Sequence, residues 1–170
     1  LAAQSLGAAR PQAARAMVWS GMRMMGLAAS VSAATLWFAA PTIVGWYTRD
    51  ADVQAAAIPL VKLVALFHVF DATQTFFANV LRAYKVAFLP ALVYVLSLWG
   101  IGLGVGGWLT FGDKHAWPWL ARFDGTVGGA TGFWVAAGGS VIVASIGLAL
   151  ILVLVWRRDQ PEPAAMGARP

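Results

Sequence analysis

The 170 residues contain no cysteine, which excludes a disulfide framework and any thiolate metal site, although it fixes no compartment. Charge is nearly as scarce. Charged residues make up 11% of the chain, against roughly 25% in soluble domains, so there are too few to coat a water-facing surface. What replaces them is apolar: 60% hydrophobic residues and a mean hydropathy of +0.72 identify an integral membrane protein. Strict period-two alternation is missing from the long apolar runs, which disfavours a transmembrane barrel. Nor do the twelve Lys and Arg residues cluster anywhere but at the ends of apolar segments. The basic balance therefore points to membrane topology, with no nucleic-acid partner. The opening LAAQSLGAARPQAAR has neither a basic region followed by an apolar core nor an initiator Met, so no secretory signal is read and the chain is expected to continue a longer one.

Four apolar segments are each long enough for the roughly 20 residues that a membrane-spanning helix needs. They run over about 17–46, 55–81, 86–111 and 127–156. An all-α membrane protein with four transmembrane helices follows, with residues 1–16 as a preceding loop and 157–170 as a tail. That tail, rich in Pro, Ala and charge, cannot bury enough apolar surface to order itself.

Loop charges supply an orientation. Arg10 and Arg15 precede the first span with no acid, Arg82 and Lys85 separate the second from the third, again unopposed, and Arg157 and Arg158 follow the fourth. In the other two loops Asp50 and Asp52 offset Arg49, and Asp113 and Asp124 offset Lys114 and Arg122. By the positive-inside rule both termini of this segment and the Arg82/Lys85 loop are expected in the cytoplasm. Trp46, Tyr47, Trp117, Trp119 and Trp156 stand at segment ends, as an interfacial aromatic belt requires. High Ala, Gly, Arg and Trp usage is associated with GC-rich bacteria, and the expected location is a bacterial inner membrane.

Small residues carry packing information. Gly102 and Gly106 form one GxxxG pair, and Gly125/Gly129 and Gly128/Gly132 form two more. Such pairs let helix backbones approach closely in lipid, within one bundle more commonly than between two copies. Pro41 and Pro90 are placed near span ends, where a lost backbone hydrogen bond is easiest to tolerate.

The stretch FHVFDATQTFF, residues 67–77, sets an aspartate into apolar surroundings. At about 100° per residue, His68, Asp71, Thr75, Asn79 and Arg82 fall within an arc of roughly 80°, with Gln74 about 60° beyond its edge. Lys62 lies on another face, from which its stem can snorkel to the headgroups. An ionised Asp at mid-helix costs about 2.5–3.5 kcal/mol even on lenient insertion scales, so the stripe has to face a polar cavity or a partner. Three readings compete for Asp71. It is a structural acid paired with His68 or with a base on another helix; or a proton or cation site; or an acid–base catalyst. The catalytic reading wants a second positioned group, and no second intramembrane carboxylate exists in this sequence. Gln74, Thr75 and Asn79 could lend oxygens to a cation or a substrate, or simply hydrogen-bond between helices. Phe67, Phe70 and Phe77 could face a lipophilic cation, or pack.

FHVFDATQTFFANVLRAYKVAFLP resembles the tenth-helix region of the multidrug and toxic compound extrusion (MATE) transporters. The usual pattern there is F-D-x-x-Q, then L-R-G, then a proline opening the next helix; here the pieces are Phe70, Asp71, Gln74, Leu81, Arg82 and Pro90. AAQSLGAARPQAAR is similar to the loop before the family's ninth helix, WGIGLGVGGWLTFG to its eleventh helix and GGATGFWVAAGGSV to the start of its twelfth. Ala83 and Ala3 depart from it, standing where the family usually has glycine. The resemblance implies part of the C-terminal lobe of a twelve-helix antiporter, with Asp71 as the coupling acid that binds H⁺ or Na⁺. It implies no enzyme, no resident cofactor and no metal beyond that coupling ion. The partners implied are small organic, often cationic, substrates, the lipid bilayer and the N-terminal lobe. A truncated or non-transporting membrane subunit is the alternative. So is a relative of the lipid-linked oligosaccharide flippases, although those are not expected to pair F-D-x-x-Q with L-R.

Overall fold

The computed structural model of the chain describes residues 2–8, 10–111 and 129–158. Every regular element among them is helical: α1 (Ala2–Gly7), α2 (Pro11–Tyr47), α3 (Ala51–Ala83), α4 (Phe88–Tyr94), a π-helical segment (Val95–Val105), α5 (Gly106–Phe111) and α6 (Gly129–Arg158). α4, the π segment and α5 run on as a single rod. With α2, α3 and α6 it makes four helices long and apolar enough to cross a bilayer.

Local chemistry sets the ends. Pro11 opens α2, where its missing N–H would have been unpaired anyway. The helix starts there and not at Met17 because nothing in PQAARA breaks it. Its 37 residues reach about 55 Å at 1.5 Å each, far more than the roughly 30 Å hydrocarbon core. Residues 24–47 alone suffice to span, which leaves Arg15 and Arg23 on turns that overhang. Asp50 then caps α3: its Oδ1 accepts from the N–H groups of Asp52 at 2.9 Å and Val53 at 3.2 Å. An aspartate that balances loop charge is thus also an N-cap, and α3 begins four residues before the expected Ala55. Pro59 lies within α3.

α3 closes in a Schellman motif, with the Val86 N–H on the Leu81 carbonyl at 2.9 Å and the Lys85 N–H on the Arg82 carbonyl at 3.0 Å. The motif puts its C′ residue in the left-handed region, a place usually held by glycine. Here it is Lys85, at φ 60°.

α3 packs between α2 and α6, and α6 between α3 and the third rod. Glycine makes these approaches possible. A Cβ on Gly138 of α6 would lie 2.7 Å from Cδ1 of Phe67, one on Gly102 3.0 Å from Oγ of Ser140, and one on Gly106 3.2 Å from Cδ2 of Phe133. Gly102 and Gly106 are therefore spent on packing inside this chain, the commoner use of such pairs. Gly125 and Gly128, the loop with Trp117 and Trp119, and the chain after Arg158 lie outside the described residues.

One end of the bundle collects the start of α2, the turn from α3 to α4 and the end of α6. Beneath it Val18, Phe77, Leu81, Leu148 and Leu152 form the buried cluster. Arg15 donates to the Trp156 carbonyl and lies 5.7 Å from the centre of that indole ring. The Trp156 Nε1–H donates to the Tyr84 hydroxyl at 2.9 Å, and Trp19 stands 6.2 Å from the Trp156 ring. The described acids are elsewhere: Asp50 and Asp52 at the opposite end, Asp71 within α3.

Candidate functional site

The polar stripe of α3 divides by burial as the helical wheel divides it by angle. Asp71, Thr75, Asn79 and Arg82 are exposed and His68 is half-buried, whereas Gln74, beyond the edge of the arc, is buried. The stripe thus points away from α2 and α6, between which α3 packs, and Gln74 turns inward from its border.

Gln74 joins the two environments. Its Nε2 donates to Oδ1 of Asp71 at 2.9 Å. Its Oε1 is buried and accepts nothing among the described residues. Tyr94, on the third rod, approaches the backbone carbonyl of Gln74 through its hydroxyl at 3.4 Å. A carboxylate in apolar surroundings is costly unless it is hydrogen-bonded or hydrated. One amide N–H meets part of that need, and the remaining lone pairs of Asp71 face outward.

His68 makes no hydrogen bond with Asp71, and among the described residues Asp71 makes no ion pair. The pairing that a purely structural acid calls for is missing among the described residues. Thr75 and Asn79 stay close to their own backbone: Nδ2 of Asn79 donates to the Thr75 carbonyl at 2.9 Å, and Arg82 reaches Oδ1 of Asn79 at 3.4 Å. Their outer faces line the same exposed strip as Asp71.

The aromatic residues separate. Phe77 is buried in the core, and Phe67 stacks on Trp134 at 6.3 Å and 19° while filling the notch at Gly138. Both are packing residues. Phe70 remains 39% exposed beside Asp71, so of the three it alone could face a ligand. Lys62 makes a contact across helices: its Nζ lies 5.7 Å from the ring centre of Trp37 on α2, a cation–π contact. Sequence reasoning missed Tyr94, because nothing in VYVL announces which tyrosine will reach across to the second span.

Comparison with known proteins bears on this arrangement at the level of the whole chain. The MatE family model matches residues 1–108. A "Probable multidrug resistance protein NorM" of Aromatoleum aromaticum is 37% identical over 163 residues, covering 94% of this chain and 33% of the relative. Proteins of the same name from Chromobacterium violaceum and Burkholderia pseudomallei are 33% and 31% identical, covering 89% and 96% of this chain and 31% and 32% of the relatives. The chain spans about a third of the length of the curated relatives it matches. No solved structure matches it. A family model over the first three helices and their connections, relatives alike over nearly the whole chain and four membrane-spanning helices agree with one another: this multi-pass membrane protein belongs to the MatE family.

Proposed function

We propose that this chain is the part of a cation-coupled antiporter that carries the coupling carboxylate, Asp71, and that the complete protein exports drugs or other toxic organic compounds across a bacterial inner membrane. One observation carries the reading above all: an acid within a membrane-spanning helix sits on a face that α2 and α6 leave open, with Gln74 as its hydrogen-bond partner among the described residues. Ionisable groups within the membrane face bundle interiors or water-filled cavities. The exposed strip is therefore assigned to a cavity shared with the rest of the transporter. The printed names of the relatives support the class of cargo. The excess of Arg and Lys at this end supports cytoplasmic placement for the start of α2 and the end of α6.

The mechanism follows from the two charge states. Alternating access needs a group that favours one conformation when neutral and the other when charged. Charged Asp71 prefers a hydrated cavity or a bound Na⁺, and Asp71 neutralised by a proton allows a drier, closer packing of the lobes. Each unit by which its pKa differs between the two states contributes about 1.4 kcal/mol of bias. Gln74 holds the carboxylate at the border of the cavity, with Thr75, Asn79 and Phe70 along the same wall.

The test is gradient-driven drug efflux from liposomes containing the complete reading frame, wild type and Asp71→Asn, under imposed proton or sodium gradients. Asp71→Asn is expected to bind drug but to lose efflux to the level of empty liposomes, and the gradient that drives the wild type identifies the ion. Unchanged efflux would make Asp71 structural. A start codon immediately before Leu1, with no efflux from the encoded chain, would favour a non-transporting membrane subunit.

A further inference from the structure

At the basic end of the bundle lies an open-sided cavity of about 490 Å³, lined among others by Tyr84, Lys85, Val86, Val155 and Arg158. Its size falls in the roughly 300–1,000 Å³ range of ligand pockets. Two cations and a phenol share the lining with valines, and none of the described residues that line it is an acid. The described residues nearby add Arg15, Arg82 and Arg157, and Asp159, the acid next to Arg158 in the sequence, lies outside them.

Three details give the cavity the character of a built site. Lys85 enters it from the left-handed C′ position of the α3 cap, φ 60°, whose two hydrogen bonds fix where its side chain leaves the backbone. Tyr84 accepts from the Trp156 indole and donates to no atom among the described residues, so its proton is left for a ligand. Finally, Trp19 and Trp156 mark this as the aromatic, interfacial level of the bundle. Cations at headgroup level above valine side chains suit an amphiphile with an anionic head and an apolar tail.

We propose that this cavity binds the phosphodiester headgroup of an anionic phospholipid, with Lys85 and Arg158 on the phosphate, the Tyr84 hydroxyl as donor, and Val86 and Val155 against the start of the acyl chains. Basic pockets between membrane helices take anionic lipid heads in this way. Arg158 also complements the C-terminal dipole of α6, and that role alone predicts no lipid preference. The site is independent of the Asp71 reading and survives its failure.

The experiment measures the thermal transition of the complete protein in zwitterionic detergent, titrated with phosphatidylglycerol, with phosphatidylcholine, or with soluble glycerol 3-phosphate. Phosphatidylglycerol is expected to raise the transition saturably and the other two to leave it unchanged. Lys85→Gln with Arg158→Gln should weaken the response at least tenfold, whereas Lys85→Arg, and Arg157→Gln outside the cavity, should retain it. An equal response in the double variant overturns the proposal, and so does an equal response to phosphatidylcholine. Stabilisation by glycerol 3-phosphate at the same concentrations would make the cavity a site for free anions and overturn the lipid assignment. Should the double variant not fold, Lys85→Gln alone, read against Lys85→Arg, decides the matter in the same way.

Discussion

At Lys85 the backbone takes a conformation that the sequence AYKV gives no reason to expect, since lysine disfavours the left-handed region and glycine is the usual occupant of that cap. The position costs about 1–2 kcal/mol, and replacing it by glycine returns about 0.4–1 of that to a freer unfolded chain. Lys85→Gly is therefore expected to stabilise the lipid-free protein in detergent by about 0.5–1 kcal/mol, measured by reversible denaturant unfolding, while losing the phosphatidylglycerol response. Opposite signs from one substitution would separate backbone strain from side-chain binding. Asp71 and its stripe, by contrast, were legible in advance. Its spacing with Thr75, Asn79 and Arg82 gave the exposed face, and the 60° offset of Gln74 matched its inward turn. The hydrogen bond between Gln74 and Asp71 was not legible, because i, i+3 spacing permits it without requiring it. The cation–π contact of Lys62 was equally hidden, for it depends on which residue α2 sets opposite.

Helices in lipid associate without a hydrophobic drive between them, so the pairing of α3 with α6 rests on contact alone. Phe67 seated at Gly138 is one such contact, and the neighbouring Gly139 has nothing within 4 Å of its Cβ position. Gly138→Ala should thus cost about 1–3 kcal/mol by overpacking, whereas Gly139→Ala should be neutral or gain up to about 1 kcal/mol of helix propensity. Parallel denaturant titrations of the two variants check the contrast. Hydropathy located all four spans, but the ends moved outward where a cap, invisible to hydropathy, set them: Pro11 for α2 and Asp50 for α3. The π-helical run Val95–Val105 was not foreseeable either. Periodicity within VLSLWGIGLGV is too weak to distinguish it from α-helix.

For the molecule as a whole, the open face of α3 is the feature that the transport reading must explain. The chain itself has no cysteine, so single cysteines placed in it, within a complete protein rendered cysteine-free, report water access cleanly. Thr75→Cys and Asn79→Cys should react with a membrane-impermeant maleimide in permeabilised vesicles, and Leu150→Cys, on an apolar face of α6, should not. Equal silence at all three positions would mean that the stripe is sealed against protein. The basic end and the four-span count were readable from composition and loop charge. The cavity among Tyr84, Lys85 and Arg158 was not, since it exists only where three chain segments far apart in sequence come together.

The contact between Lys62 and Trp37 also bears on how the protein is made. α3 carries Lys62 and Asp71 in the same span, and each costs about 2.5–3.5 kcal/mol near a helix centre on translocon scales, a poor case for lateral release on its own. α2 leaves the ribosome first, already bearing the indole over which Lys62 settles, and only Thr48, Arg49 and Asp50 separate the two helices. Insertion of α3 as one arm of a hairpin with α2 is the expected outcome, and Trp37→Ala should lower the fraction of α3 inserted in a glycosylation-reporter assay.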